Sequence, residues 1–197
     1  ASVLGATALA SSTAVAELSG NIGVTSNYLW RGVTQSSDEA AVSGGIDWGH
    51  ESGFYLGTWA SNLVNGNYEL DLYGGYGGEY KGFGYDVGVI SYRYPIIEDY
   101  FNEVYLNGTY SLLNFGLAYT FGSEDDDTDY FSSGDKYYYI GAEGEIKEGL
   151  SLGATFGSYD FDDSDADDYT HVNVYLTKDD FTFAIDKNDI DDTGAGE

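Results

Sequence analysis

Residues 21–48 read NIGVTSNYLWRGVTQSSDEAAVSGGIDW, and their pattern decides the fold class. Apolar and polar side chains alternate up to Trp30, the run from 32 to 40 is mostly polar, and alternation resumes at Val42. A period of two residues is typical of a β-strand with one apolar face, and no helical period competes with it. The stretch therefore predicts a strand that ends at Trp30 and Arg31, then a polar loop, then a second strand.

The same alternation recurs along the rest of the chain. The predicted strands are 18–30, 42–48, 54–61, 68–80, 83–94, 103–110, 114–121, 136–146, 150–159, 169–178 and 181–186. Their connections alternate between tight turns, such as Lys81-Gly82, and longer polar loops, such as 124–135. This alternation is typical of up-and-down outer-membrane barrels, whose tilted strands need about 9–11 residues to cross the bilayer.

These eleven strands are followed by an acidic tail at 188–197, which resembles the start of another outer loop. Closed bacterial barrels have an even number of strands. The sequence therefore predicts an all-β fold, an up-and-down antiparallel transmembrane β-barrel of about twelve strands. We expect the closing strand to be missing from the C-terminal end of this chain.

The composition excludes several classes of protein. The chain has 34 acidic and 7 basic residues and a formal net charge of −27. Nucleic acid is excluded as a partner, because phosphate binding needs clustered Lys and Arg. Disordered acidic chains are poor in aromatic residues, whereas this chain has 20 Tyr, 10 Phe and 3 Trp, so it is predicted to fold. The absence of Cys excludes disulfides and thiolate metal sites.

The first sixteen residues are small, apolar or uncharged, and they end on Ala14-Val15-Ala16. This pattern is typical of the second half of a secretory signal peptide with its cleavage site. We therefore expect a signal-peptide remnant at 1–16 and a barrel domain at 17–197, with a flexible leader as the alternative for 1–16. An exported chain without an apolar helix can still span a membrane as a β-barrel.

Five motifs carry a resemblance to a known family: NxGVxSNYxWRGVTQ at 21–35, SGFYxGTWxSN at 52–62, ELDLYGGY at 69–76, GYDVGV at 84–89 and EVY at 103–105. They resemble the TorF-like porin family, also called Gcw_chp, and the match covers most of residues 18–187. The resemblance implies an outer-membrane barrel of porin type in a Gram-negative bacterium. It implies no substrate and no established binding residues, and the family's last strand has no counterpart here.

In a membrane barrel the apolar face points to lipid and the other face lines the lumen. The acidic residues predicted to face the lumen are Asp47, Glu69, Asp71, Glu79, Asp86, Glu103, Glu143, Glu145 and Asp186. Arg31 is the basic residue expected to face inward, at the pore mouth. Such a lumen favours cations and repels anions. Alternatively, these acids only solvate a wet interior, or they pair with Arg31 and inward tyrosine hydroxyls.

Aromatic residues near strand ends predict the membrane–water boundary. Tyr28, Trp30, Trp48 and Trp59 are expected to form an aromatic girdle, as in other outer-membrane barrels. A barrel of twelve strands lies between barrels filled by side chains and those with an aqueous channel. A narrow pore and a plugged lumen both remain open.

Two acidic loops resemble calcium-binding loops in part. Asp125-x-Asp127-x-Asp129 and Asp163-x-Asp165-x-Asp167 match the first three ligand positions of an EF-hand loop, but the glycine that should follow is absent. We predict no specific metal site and no cofactor, and leave open loose divalent cation binding by these loops. The chain has two histidines, His50 and His171, but no serine is marked as a nucleophile by a motif such as G-x-S-x-G. No enzyme is therefore predicted.

The sequence as a whole predicts a porin-like channel of the bacterial outer membrane. Small solutes would diffuse through it passively, with a cation preference from the acidic lumen and acidic outer loops. Its partners would be outer-membrane lipid, lipopolysaccharide and those solutes. The alternatives are a non-conducting barrel that serves as a structural or surface-binding module, and a soluble secreted barrel that binds a small ligand.

Overall fold

The computed structural model describes residues 16–124, 131–163 and 166–190. These residues form thirteen β-strands and one short 3-10 helix, Val64–Gly66. The strands are β1 Glu17–Thr25, β2 Leu29–Trp30, β3 Val33–Thr34, β4 Ala41–Gly49, β5 Phe54–Asn62, β6 Tyr68–Tyr80, β7 Phe83–Tyr94, β8 Asp99–Tyr110, β9 Leu113–Ser123, β10 Lys136–Lys147, β11 Leu150–Asp160, β12 Tyr169–Lys178 and β13 Phe181–Asn188. Within the described ranges, no helix is long and apolar enough to cross a membrane.

Eleven of the strands form one antiparallel sheet, and β2 and β3 form a separate hairpin. The order in the large sheet is β1, β4 and then β5 to β13 in sequence, so each strand pairs with the next one along the chain. This confirms the predicted all-β, up-and-down antiparallel topology. The tight turns lie at one end of the sheet and the long loops at the other, as the alternation of connection lengths predicted.

The edges of the sheet are β1 and β13, and these two strands are not paired with each other. Both begin at the end of the sheet that carries the tight turns, so they run in the same direction. Antiparallel closure between them would need one further strand, or another odd number. The sheet is therefore open, and its topology is consistent with an up-and-down barrel of even strand number.

One face of the sheet is concave and polar. On this face, side chains two or more strands apart meet: Tyr73 of β6 donates a hydrogen bond to Asp47 of β4, and Tyr55 of β5 donates to Asp86 of β7. The opposite face is apolar and exposed. Its large side chains include Leu18, Ile22, Val24, Phe54, Leu56, Val89, Leu106, Phe183 and Ile185.

Tyrosine rings on the concave face lie over glycines of a neighbouring strand. A Cβ atom built at Gly57 would overlap the ring of Tyr73, and one built at Gly153 would overlap the ring of Tyr175. The same arrangement places Tyr55 over Gly75, Tyr105 over Gly88 and Tyr139 over Gly116. Each ring thus takes the space that a side chain would fill, so that the rings pack against the wall of the sheet.

Residues 26–40, which connect β1 to β4 and include the β2–β3 hairpin, fold onto the concave face at its long-loop end. We call this segment the plug. Its Trp30 packs edge-on against Tyr92 of β7 and Phe101 of β8, and also contacts Tyr159 of β11. These aromatic residues belong to the buried core of the molecule. The core is therefore built between the plug and the sheet.

The position of the plug contradicts part of the predicted aromatic girdle. Tyr28 and Trp30 are only 5% and 9% exposed and lie inside the concave face rather than on the outer surface. The prediction fails because β1 ends at Thr25, so the alternation that assigned these residues to the outer face no longer applies beyond it.

Trp59 was also predicted for the girdle, and it too lies on the concave face. It is paired with Gly45 and Asp71, and its ring is 5.3 Å from that of Tyr28. Trp48 does lie on the outer face, near the end of β4. A girdle role for Trp48 remains a prediction.

Candidate functional site

The tip of the plug is a two-residue hairpin turn formed by Arg31 and Gly32. Both residues have positive φ angles, 49° and 83°. Two-residue hairpin turns of this kind favour Asn, Asp or Gly at the first position, and a left-handed conformation at another residue costs about 1 kcal/mol or more. Arginine is therefore not a favoured residue for the turn, although Lys81 has the same conformation in the turn before Gly82.

The Arg31 side chain forms a buried ion pair with Glu103 of β8. Nη1 and Nη2 donate to the two carboxylate oxygens at 2.8 Å and 2.6 Å. The side chains of Arg31 and Glu103 are only 10% and 2% exposed. Burial alone would lower the pKa of the guanidinium, but the charge and hydrogen bonds of Glu103, together with nearby tyrosines, outweigh burial and raise the pKa.

Aromatic rings surround the same guanidinium group. Its central carbon lies 4.2 Å from the ring centroid of Trp30, 4.3 Å from that of Tyr137 and 5.4 Å from that of Tyr159. Removing one partner of such a buried pair typically costs about 3–5 kcal/mol, because the other charge is left buried alone. Exposed pairs such as Lys178–Asp179 contribute about 1 kcal/mol or less.

A second carboxylate anchors the plug. The hydroxyl of Tyr28 donates to Glu69 of β6 at 3.0 Å, and Glu69 is fully buried. Asp71 of the same strand is also buried, and its Oδ1 has no hydrogen-bond partner among the described residues. Two more buried carboxyl groups thus lie beneath the plug in addition to Glu103.

Further hydrogen bonds tie the plug to both sides of the sheet. Asn188 of β13 donates to the backbone carbonyl of Gly32 at 2.8 Å. On the other side, the backbone amide of Val64, in the connection between β5 and β6, donates to the carbonyl of Gln35 at 3.2 Å. The plug is therefore held at several points across the long-loop end of the concave face.

The acids predicted to line a lumen all lie on the concave face. Glu69, Asp71 and Glu103 lie beneath the plug. Five others lie nearer the tight turns: Asp47, Glu79, Asp86, Glu143 and Glu145. Asp186 lies in β13, two residues before Asn188, which contacts the plug. Arg31 lies inside, on the side that the sequence predicted. A role for these residues in ion selectivity remains a prediction.

Several of these acids accept hydrogen bonds from tyrosine hydroxyls. Tyr73 donates to Asp47 at 2.5 Å, and Tyr175 donates to Glu143 at 2.7 Å. Asp86 accepts from Tyr55 at 2.6 Å. The pairing of acids with inward tyrosines, one of the alternatives from the sequence, is therefore present in the structure.

The basic residues lie almost entirely outside the concave face. All seven fall in the described ranges, and Arg31 is the one whose side chain points inward. Lys81 is in a turn, and the strand register places Arg93, Lys136, Lys147, Lys178 and Lys187 opposite outward-facing neighbours. The concave face therefore carries a strong net negative charge.

The contacts of the two histidines differ from those of a catalytic triad, in which a histidine joins a serine and an orienting third group. Nε2 of His171 lies 2.9 Å from the hydroxyl of Tyr137, and Nδ1 has no partner among the described residues. His50 contacts Ser52 at 2.6 Å within an exposed turn. An orienting third group beside that exposed pair would be needed for a catalytic triad, and the described hydrogen bonds include none.

The acidic side chains that the sequence offers as cation ligands lie partly outside the described ranges. In the described ranges, no three His, Asp or Glu side chains are grouped closely enough to hold a metal ion. Asp125, Asp127, Asp129 and Asp165 of the acidic loops lie outside the described residues.

The sequence profile of Gcw_chp, described as a bacterial protein of unknown function, matches residues 9–194. The chain belongs to the Gcw_chp family. No curated protein and no solved structure shows significant similarity to it. Membership of Gcw_chp identifies no activity, so the function has to be argued from the two faces of the sheet and from the plug.

The plug is the feature of this Gcw_chp protein that the sequence did not predict. Its contacts join residues far apart in the chain, such as Arg31 with Glu103 and Gly32 with Asn188. The available signals were the break in alternation after Trp30 and an Arg-Gly pair between two short apolar segments. Both features fit a hairpin, but neither shows that the hairpin folds inward.

Proposed function

We propose that the chain forms a porin-like β-barrel of the bacterial outer membrane, which lets small solutes diffuse passively and prefers cations. The observation that carries this proposal is the separation of the two faces of the sheet. One face is apolar and exposed, and the other is concave and acidic.

The apolar face favours a membrane as the surrounding medium. Ile22 is 83% exposed and Phe183 is 69% exposed, and similar side chains continue across the strands between them. Soluble monomers rarely expose contiguous apolar patches larger than a few hundred Å². Lipid removes the cost of exposing this face to water, and bacterial outer-membrane barrels have the same apolar band.

The concave face favours cations as solutes. Asp47, Asp86 and Glu143 accept hydrogen bonds from tyrosine and asparagine side chains, and none of these donors carries a positive charge. Their negative charge is therefore uncompensated by the protein. A low-dielectric wall that carries such charges concentrates cations and repels anions.

The plug supports a second candidate, a non-conducting barrel that serves as a structural or surface-binding module. The aromatic packing of Trp30 and the two carboxylate anchors fill the long-loop end of the concave face. In this reading the plug is a permanent closure. The two candidates differ in whether ions cross the barrel.

Planar-bilayer recordings of the full-length protein test the proposal. We expect discrete conductance steps and a reversal potential in a KCl gradient that shows cation preference. Glu143→Gln/Glu145→Gln should reduce that preference, because both side chains lie on the concave face near the tight turns. Glu148→Gln is the matched control, since Glu148 is exposed in the turn between β10 and β11.

Recordings without steps above background would favour the non-conducting barrel. If the double variant conducts with an unchanged reversal potential, the pore is supported and these two acids do not determine its selectivity.

A further inference from the structure

The Arg31 guanidinium is bound in the way that a small cationic ligand would be. Its two terminal nitrogens meet the two oxygens of Glu103, and ring faces of Tyr137 and Tyr159 lie beside it. These three wall residues come from β8, β10 and β11 of the sheet. The wall therefore supplies a complete set of contacts for a planar cation, and the plug supplies the cation.

The backbone conformation at position 31 does not favour arginine. Glycine would suit the φ of +49° at residue 31 better than arginine does. The cost of the turn is offset by the bidentate ion pair and the stacking. Thus the contacts with the wall hold the arginine in place against the preference of its own backbone.

Arg31 is the one basic residue, of the seven that the structure describes, that reaches the carboxyl groups beneath the plug. Glu69 and Asp71 are both buried beneath the plug, and Asp71 lies within electrostatic range of Glu103. All seven basic residues are described, and none other than Arg31 points into the concave face. If Arg31 were removed, the buried carboxylate of Glu103 would be left without its cationic partner.

We propose that Glu103, flanked by Tyr137 and Tyr159, is a binding site for guanidinium cations that Arg31 fills as a tethered ligand. The ligand class is small organic cations with a planar guanidinium group. Such a group donates two parallel hydrogen bonds to one carboxylate and lies flat on aromatic rings. An ammonium ion of equal charge lacks this planar pair of donors, so the site discriminates by shape as well as charge.

This inference goes beyond the proposed pore and does not depend on conduction. Its test uses full-length Arg31→Gly protein refolded in detergent micelles, in which the turn keeps a residue suited to positive φ and the site is emptied. Propylguanidinium, which matches the removed side chain, is added at millimolar concentrations and the melting temperature is followed by circular dichroism. A ligand that binds only the folded state raises the melting temperature in a saturable way.

We expect propylguanidinium to stabilise Arg31→Gly and to leave the wild type unchanged, because Arg31 already fills the site. The apparent affinity should fall about tenfold or more for propylammonium, and likewise for propylguanidinium with Arg31→Gly/Glu103→Gln. If Arg31→Gly does not refold alone, the same titration is read as the yield of folded protein. Equal responses to the two cations, or equal responses with and without Glu103, would overturn the proposal.

Discussion

Asp135 is a buried carboxyl group at the long-loop end, immediately before β10. It is 1% exposed, and it accepts hydrogen bonds from the backbone amides of Ser132 and Asp162 and from the hydroxyl of Tyr159. Burial raises the pKa of Asp135, and these hydrogen bonds offset the rise only in part. The folded state therefore holds the proton of this group more tightly than the unfolded state does.

A pH dependence of stability follows from that direction. The contribution of Asp135 is fully present below the ordinary aspartate pKa of about 4, and it is lost as the pH rises through the raised value of the folded state. In Asp135→Asn this dependence is removed. The variant also loses an acceptor, at a cost of about 1–3 kcal/mol that does not vary with pH.

Urea unfolding of both proteins in micelles between pH 3 and pH 7 measures this effect. We expect the stability advantage of the wild type over Asp135→Asn to shrink as the pH rises. An advantage that stays constant, or grows with pH, would show that burial does not control the titration of Asp135.

At the residue scale, alternation predicted the side to which Arg31 points but not the side of its neighbours Tyr28 and Trp30. Alternation placed Arg31 inward, and it does point inward. The same alternation placed Tyr28 and Trp30 outward, where it failed, because they lie past the end of β1 and their positions depend on contacts with β6, β7 and β8. Local pattern cannot supply contacts that span 41 to 72 positions of the chain.

At the element scale, the paired glycines and tyrosines of the concave face determine how strands fit together. A Cβ at Gly57 would overlap the ring of Tyr73, whereas a Cβ at Gly49 would have no atom within 4 Å. Both glycines lie in strands of the large sheet, and neither has a positive φ angle. They form a matched pair that differs in the space around the added methyl group.

We therefore expect Gly57→Ala to destabilise the fold by about 1–3 kcal/mol, since the ring of Tyr73 must move and its hydrogen bond to Asp47 is strained or lost. Gly49→Ala should be neutral or slightly stabilising, by up to about 1 kcal/mol. Urea midpoints in micelles give both values. Equal effects at the two positions would show that the Tyr73 ring does not need the space left by the absent side chain at Gly57.

The bounds of most strands were predictable because the alternation that marks a strand is a local property of the sequence. The predicted strand 68–80 is the same as β6, 83–94 the same as β7, and 169–178 the same as β12. In these strands the apolar residues recur at every second position, with one face toward lipid or solvent and the other toward the concave side. The first strand was predicted five residues too long because the alternation continues by chance into the plug.

At the scale of the whole molecule, the distribution of charge along the outer face distinguishes a membrane barrel from a soluble one. Arg93 lies on the outer face near the long-loop end of β7, where its guanidinium lies 5.4 Å from the ring centroid of Tyr100. In the middle of the same strand, the outer face carries Val87 and Val89. Charges at strand ends and apolar residues between them fit a bilayer, because the cost of an outward charge depends on its depth.

Arginine substitutions at two depths test whether lipid surrounds the sheet. Val89→Arg places a charge at mid-strand on the outer face, and Tyr80→Arg places one at the tight-turn end of β6. Both positions are exposed, 51% and 67% respectively. In lipid vesicles we expect Val89→Arg to cost about 2–4 kcal/mol of unfolding free energy and Tyr80→Arg about 0–1 kcal/mol. In water, substitutions at two exposed positions should each change stability by about 0.5 kcal/mol or less. Urea unfolding from vesicles measures the difference, and equal small effects would favour the soluble barrel over the outer-membrane one.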